Sequence, residues 1–144
     1  MANIIPDAFK SELLSGTHNF ADGGNTFKIA LYVTTLGPPY TTSSTVYSTD
    51  NEVSSSGTNY ATGGNELDSQ AVSIPGSNTA VVDFANEVFS NVTLTSLGAA
   101  IYNSSASNKL CLVIDFGGNK VATSGDFTIQ FPAATAGAAI IRVA

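Results

Sequence analysis

Thr26-Phe27-Lys28-Ile29-Ala30-Leu31-Tyr32-Val33-Thr34 decides the fold. Phe27, Ile29, Leu31 and Val33 alternate with Lys28, Ala30 and Tyr32. A period of two is that of an extended strand, here with one face for a core and the other able to meet water. From residue 68 onward the chain reads almost wholly as strand and turn. Val72 and Ile74 alternate up to Pro75-Gly76. Ala80, Val82 and Phe84 point one way, and Thr79, Val81 and Asp83 the other. Val88, Val92 and Leu94 form a further strand interrupted at Ser90-Asn91, and Leu97, Ala99 and Ile101 follow. Leu110, Leu112, Ile114 and Phe116 share a face, with Cys111 and Val113 opposite. Apolar on both faces at its middle, this segment is expected to be a central strand covered on both sides. Gly117-Gly118-Asn119 reads as a turn. Phe127, Ile129 and Phe131 then alternate with Asp126, Thr128 and Gln130 up to Pro132, and Ala139, Ile141 and Val143 finish the chain.

About seven or eight short strands at near-regular spacing, with one helix, predict an all-β chain. The expected architecture is a single antiparallel β-sandwich domain over 1–144, jelly-roll-like, carrying a short N-terminal helix and a long polar loop. The helix falls at 7–15, inside an N-terminal arm of residues 1–25. Phe9 and Leu13 are four apart and Leu14 joins them on one apolar face. Pro6 stands where a helix can begin and Gly16 where it can stop. Two to three turns are not stable alone, so this helix must dock on its own domain or on a neighbour.

Residues 36–66 differ in character. Gly37-Pro38-Pro39 breaks the first strand; Thr41-Thr42-Ser43-Ser44-Thr45, Ser54-Ser55-Ser56-Gly57 and Gly63-Gly64 follow, with no Lys or Arg. A structureless loop of roughly 30 residues is rare inside a compact domain. It either carries a short strand around Thr45–Ser48 or is an arm ordered by a partner. Tyr40, Tyr47 and Tyr60 would then be exposed anchors, since Tyr joins apolar area to a hydrogen-bonding tip. The alternative is a loop folded back over its own sheet.

Composition narrows the chemistry. The 144 residues include one His, one Cys, no Trp and 5 Lys and Arg against 11 Asp and Glu, a formal charge of −6. Acid–base and metal enzymes need groups that titrate or coordinate, and few are here. Lys10, Lys28, Lys109, Lys120 and Arg142 stand singly, so no basic stripe tracks phosphates and nucleic-acid binding is not expected. No stretch is long and apolar enough to span a membrane. Met1–Asp7 lacks the basic start and apolar run of a secretory leader. Cys111 lies between apolar neighbours and reads as an inert packed thiol.

His18 has no Gly-x-Ser-x-Gly elbow or other triad signature in the sequence, and reads as a turn residue favouring the helix C-terminus. Asp50-Asn51-Glu52, with Glu66 or Asp68, offers the oxygens that calcium takes, but it also reads as an Asx-rich turn. Asp83, Glu87, Asp115 and Asp126 have no spacing that pairs them as glycosidase carboxylates. The triplets Gly23-Gly24-Asn25, Gly63-Gly64-Asn65 and Gly117-Gly118-Asn119 lack the following helix of a phosphate loop and read as turns. No catalytic, cofactor or metal residues are assigned.

Several phrases resemble a family of small tailed-bacteriophage virion proteins. They are Asp7-Ala8-Phe9-Lys10-Ser11-Glu12-Leu13-Leu14, Thr26-Phe27-Lys28-Ile29-Ala30-Leu31-Tyr32, Tyr47-Ser48-Thr49-Asp50-Asn51-Glu52-Val53, Ala61-Thr62-Gly63-Gly64, Val113-Ile114-Asp115-Phe116-Gly117-Gly118 and Ser124-Gly125-Asp126-Phe127-Thr128-Ile129-Gln130-Phe131-Pro132. The resemblance runs nearly end to end and implies a virion component assembled in the host cytoplasm, most like a capsid cement (decoration) protein. It implies binding to the major capsid protein, self-association as a homotrimer, no cofactor and no catalysis. A tail, neck or baseplate component, or a jelly-roll receptor- or carbohydrate-binding module, are the alternatives. On the cement reading the partner-contacting residues are Ile4, Ile5, Phe9 and Leu13 of the arm and Tyr40, Tyr47 and Tyr60 of the loop. Arm and loop are then expected to be removable with the sandwich still folded.

Overall fold

The computed structural model describes residues 3–34, 40–76 and 78–144; the strand break at Gly37-Pro38-Pro39 lies outside them. In chain order the elements are α1 (Asp7–Leu14), β1 (Phe27–Tyr32), β2 (Asn65–Glu66), β3 (Ala71–Gly76), β4 (Thr79–Asp83), β5 (Glu87–Asn103), β6 (Lys109–Ile129) and β7 (Ile141–Val143). A 3-10 turn at Ser104–Ala106 joins β5 to β6. The strands form two antiparallel sheets, ordered β2-β1-β5-β6 and β3-β4-β7. The expected all-β sandwich is what the chain builds.

The long β5–β6 hairpin is the frame. Its pairing runs from Glu87 opposite Ile129 to Asn103 opposite Lys109, with four register shifts. Each shift rotates which residues face inward, as a bulge does. Asn91, in left-handed geometry (φ 51), is one such extra residue, so Phe89, Val92 and Leu94 are buried while Val88 is exposed. The expected Val88–Val92–Leu94 face is therefore one residue out at its start. A second shift, at Cys111, puts Cys111 and Leu112 in the inner core and Leu110 and Val113 in the outer one. That breaks the expected common face of Leu110, Leu112, Ile114 and Phe116. Gly117-Gly118-Asn119 does not reverse the chain: both glycines have positive φ, in an excursion between the pairs Gly98–Asp115 and Ser96–Lys120, and β6 runs on.

Between the sheets lies the main core. Phe20 stacks on Phe27 at 4.2 Å and meets Phe84 edge-on at 6.2 Å, and Phe9 of α1 reaches Phe20 at 6.2 Å. Aromatic pairs of this kind add about 0.5–1.5 kcal/mol each beyond their buried area. Within α1, Phe9 is buried and Leu13 packs on the core, but Leu14 is 91% exposed, so the helix buries a narrower stripe than its three apolar residues suggested.

A second apolar cluster covers the opposite face of the four-stranded sheet: Ala30, Tyr32, Tyr40, Ala100, Tyr102, Leu110 and Val113. The face of β1 expected to meet water is thus buried. Its cover is the polar loop, which straps across the sheet. Val46 bridges Lys109 on β6, Tyr47 stacks on Tyr102 of β5 at 4.4 Å, and Glu52 bridges Tyr32 on β1. The loop folds back over its own sheet, and the strand expected at Thr45–Ser48 is reduced to that one bridge. After an excursion it returns to the same edge of β1 as β2, with Asn65 opposite Ile29 and Glu66 opposite Lys28. β6 is covered on both faces as expected, but it is an edge strand, not a central one; its first part is capped by Val46 and by Ile4 bridging Val113.

At the excursion's return, Gly64 has φ +71, and a Cβ there would collide with the Ile29 carbonyl. Gly57 has a similar φ of +73 but nothing within 4 Å. Gly64→Ala is expected to cost more than about 3 kcal/mol, against about 1 kcal/mol for Gly57→Ala, where only the left-handed backbone is strained. Urea melts of the two variants measure the difference.

Candidate functional site

Three arrangements concentrate polar or apolar groups, and they differ in what they can do. The first is the lock of the strap. Tyr47 and Tyr60 donate their hydroxyls to Glu52 Oε2 and Oε1 at 2.6 Å each, and the Gly63 N–H donates to Oε1 at 2.6 Å. Tyr60 Oη also accepts the Leu31 N–H at 3.0 Å, and Tyr102 donates to the Gly63 carbonyl at 2.7 Å. Beside this, the hydroxyls of Tyr32 and Tyr40 lie 2.7 Å apart, and Tyr32 donates to the Ser48 carbonyl. Burial, with the Glu52 charge close by, pushes the Tyr47 and Tyr60 hydroxyls far above the ordinary tyrosine range; Tyr102 rises to about 12 for the same reasons. Glu52 accepts three donors of the strap, and the Asp50-Asn51-Glu52 cluster is a turn with Asn51 left-handed. Among the described residues no three His, Cys, Asp or Glu side chains stand close enough to hold a metal ion.

The second is a buried cluster around His18, which follows α1 and is enclosed by it and the β5–β6 hairpin. Its Nε2 lies 2.9 Å from Glu12 Oε2 and its Nδ1 3.0 Å from Asn103 Nδ2. Asn103 Oδ1 accepts the Ser105 N–H, which fixes the amide orientation. Asn103 therefore donates to Nδ1, and the proton of the neutral ring sits on Nε2, facing Glu12. Lys109 Nζ reaches Glu12 Oε1 at 2.6 Å. Burial works to raise the Glu12 carboxyl, but the hydrogen bonds from Lys109 and His18 outweigh it and hold it below its ordinary value. Cys111 Sγ is 3.9 Å from His18 Nδ1, giving the order Cys–His–Glu of a nucleophile, base and orienting acid. The chemistry does not follow from the order. Asn103 already occupies the Nδ1 lone pair, Cys111 is fully buried, and burial pushes its thiol well up. A nucleophile needs a thiolate and access, and this thiol has neither. The cluster ties α1 to the end of the β5–β6 hairpin.

The third is an apolar groove of about 660 Å³ along the outer edge of β6. Ile114, Phe116, Val121, Phe127, Ile129 and Ile140 form its walls, and Asn3, Ile4 and Ile5 close one end. Here the expected interface residues separate. Ile5 lines the groove and is 46% exposed, and Ile4 is half-buried against β6. Phe9, Tyr40 and Tyr60 are inside the protein, and Leu13 and Tyr47 pack on its two cores. The expected solvent-exposed tyrosine anchors are thus internal, because Glu52 and the sheet's outer face take them. The groove was missed in the sequence because its walls come from separate stretches, Ile114 to Ile129 of β6 and Ile140 before β7, that only the fold brings together. Glu87 and Asp126 are committed locally, to Asn65 Nδ2 at 2.7 Å and to the Asn91 N–H at 3.1 Å, and form no carboxylate pair.

Two outcomes are expected. Glu52→Gln leaves tyrosine donors without their charged acceptor and costs about 2 kcal/mol in chemical denaturation, with Tyr47 becoming quenchable. For Glu12 the folded carboxyl lies below its unfolded value, so its contribution is full above about pH 4.3 and is lost as pH falls through the lower folded value. Glu12→Gln should lower the melting temperature at neutral pH and flatten its decline between about pH 5 and pH 2. No protein-family model, curated protein or solved structure matches this chain.

Proposed function

We propose that this chain is a structural protein of a tailed-bacteriophage virion, a cement protein that stabilises the head by binding major capsid subunits. The observation that carries the reading is the near end-to-end run of family-like phrases, from Asp7–Leu14 to Ser124–Pro132. Those phrases fall on the parts that make the protein distinctive. Asp7–Leu14 is α1, Tyr47–Val53 and Ala61–Gly64 contribute to the Glu52 lock, and Val113–Gly118 and Ser124–Pro132, in β6 and just past its end, contribute walls of the groove. Binding chemistry alone agrees with the quenched Cys111–His18 pair and the occupied Glu52 carboxylate.

The geometry alters one consequence of the reading. Deleting 36–66 would strip the cover from Tyr32, Tyr102 and Leu110, and deleting 1–16 would remove Phe9 and Glu12 from the core cluster and its polar tie. Neither segment is a dispensable arm, so contacts with the capsid are expected at exposed positions such as Ile5.

Copy number tests the proposal. In purified particles, a ratio near one chain per major capsid subunit is expected. A few copies per particle would move the protein to the tail, neck or baseplate, and absence from particles would overturn the virion reading.

A further inference from the structure

The hydrogen bonds around His18 run in one direction only, because backbone donors fix the amides that carry them. The Asn19 N–H donates to Asn25 Oδ1 at 2.8 Å, which makes that oxygen an acceptor. Asn103 Nδ2 lies 3.0 Å from it and donates to it. The Ser105 N–H donates to Asn103 Oδ1 at 3.1 Å. Turning the Asn103 amide over would set nitrogen against N–H and oxygen against oxygen, so both of its ends are pinned. The second Asn103 N–H then points at His18 Nδ1, 3.0 Å away.

A second proton on the ring can go only to Nδ1, where it would meet the Asn103 N–H, donor against donor. Cys111 Sγ, 3.9 Å from Nδ1, is a weak acceptor, and burial pushes its thiol up, so it supplies no anion. Among the described residues, the titratable groups bonded in this cluster are Glu12 from α1 and Lys109 and Cys111 from β6. Phe9, Phe20 and Asn103 complete the surroundings and carry no charge. Glu12 would attract an imidazolium, but the Lys109 ammonium already balances it at 2.6 Å. The Glu12 carboxyl is held below its ordinary range, so it stays charged where a free imidazole titrates, about pH 6.5. A third charge, on a side chain with no exposed surface, would be left without compensation. The helix that depends on this tie is weakly held. α1 has 8 residues, no side-chain cap at its start and one buried residue, Phe9. A helix that short persists only while docked.

We propose that the Glu12–His18–Asn103 bridge is an acid-sensitive latch: a proton on Nδ1 breaks the Asn103 bond and releases α1 from the β5–β6 hairpin. The proposal does not rest on the virion reading, because it concerns the isolated chain. The open latch binds a proton that the closed one does not, so opening increases as pH falls. With a free imidazole titrating near about pH 6.5, the open population should rise about tenfold between about pH 7.5 and pH 5.5.

Amide hydrogen exchange on the full-length chain tests it, with the intrinsic pH dependence of exchange divided out. The Ser15 N–H, bonded to the Ser11 carbonyl, and the Thr17 N–H, bonded to the Glu12 carbonyl, report on the latched end of α1. They are expected to lose protection about tenfold over that range, while the amides of β1 and β5 keep theirs. His18→Gln keeps a donor for Glu12 and an acceptor for Asn103 but takes up no proton, and should make α1 protection independent of pH. His18 is the sole imidazole, so its nitrogen chemical shifts read the ring directly. They should show a proton on Nε2 and a bare Nδ1 at neutral pH. A proton on Nδ1 at neutral pH, an imidazolium with α1 still protected, the same loss of protection in His18→Gln, or equal loss from every strand would overturn the proposal. Should His18→Gln fail to fold, the wild-type shifts and exchange still decide it.

Discussion

The strap over the outer side of the four-stranded sheet is tied down by the Glu52 carboxylate. That face carries Ala30, Tyr32, Ala100, Tyr102, Leu110 and Val113, too apolar to be left in water, yet among the described residues no helix or second sheet covers it. The cover is a loop rich in Ser, Thr and Gly, whose composition gives little apolar area of its own. Tyr40 and Tyr47 supply the area; Glu52 accepts the Tyr47 phenol together with that of Tyr60, which sits in the inner core, and one backbone N–H. Hydrogen bonds to a charged acceptor are worth about twice neutral ones. One carboxylate thereby holds together residues 47 to 63 and, through Gly63 and Tyr102, attaches them to β5.

The fold class was legible because period-two alternation survives wherever a strand is regular, as in β1 and in Phe127–Phe131. It became illegible at the bulges. Asn91 and the shift at Cys111 each rotate the inward face by one residue, and alternation read straight through such a point assigns the wrong side chains to the core. The three Gly-Gly-Asn triplets make the same point. Gly24 packs against the Asn19 carbonyl in a turn, Gly64 lies under β1 where the loop returns, and Gly117 and Gly118 stand in open space within β6. Identical triplets carry no label of their tertiary neighbours.

The polar clusters were harder still. His18 reads as a turn residue because Glu12 alone is near it in sequence; Asn103 and Cys111 reach it only when the β5–β6 hairpin closes. The tyrosines likewise read as interface anchors because their hydroxyls ask for partners, and the partners lie within the chain: Glu52 for Tyr47 and Tyr60, Tyr32 and Ser48 for Tyr40. A residue type predicts what chemistry must be satisfied, and only the fold decides whether the chain or a partner satisfies it.

That distinction bears on where this protein can meet others. Its helix, its tyrosines and its buried ion contacts are spent internally. Among the described residues, the large apolar side chains left exposed include Val72 and Ile74 on β3, Val121 on β6 and Val143 on β7, all on outer strands of the two sheets. The chain does protect edges elsewhere, with Glu52 and β2 along β1 and with Val46 and Ile4 on the start of β6. On β3 the guard is slight. Pro75 withholds one donor near the strand's end, while Val72 and Ile74 stay uncovered and uncharged. The chain thus shields β1 and the start of β6 with its own backbone and leaves apolar side chains of β3 uncovered.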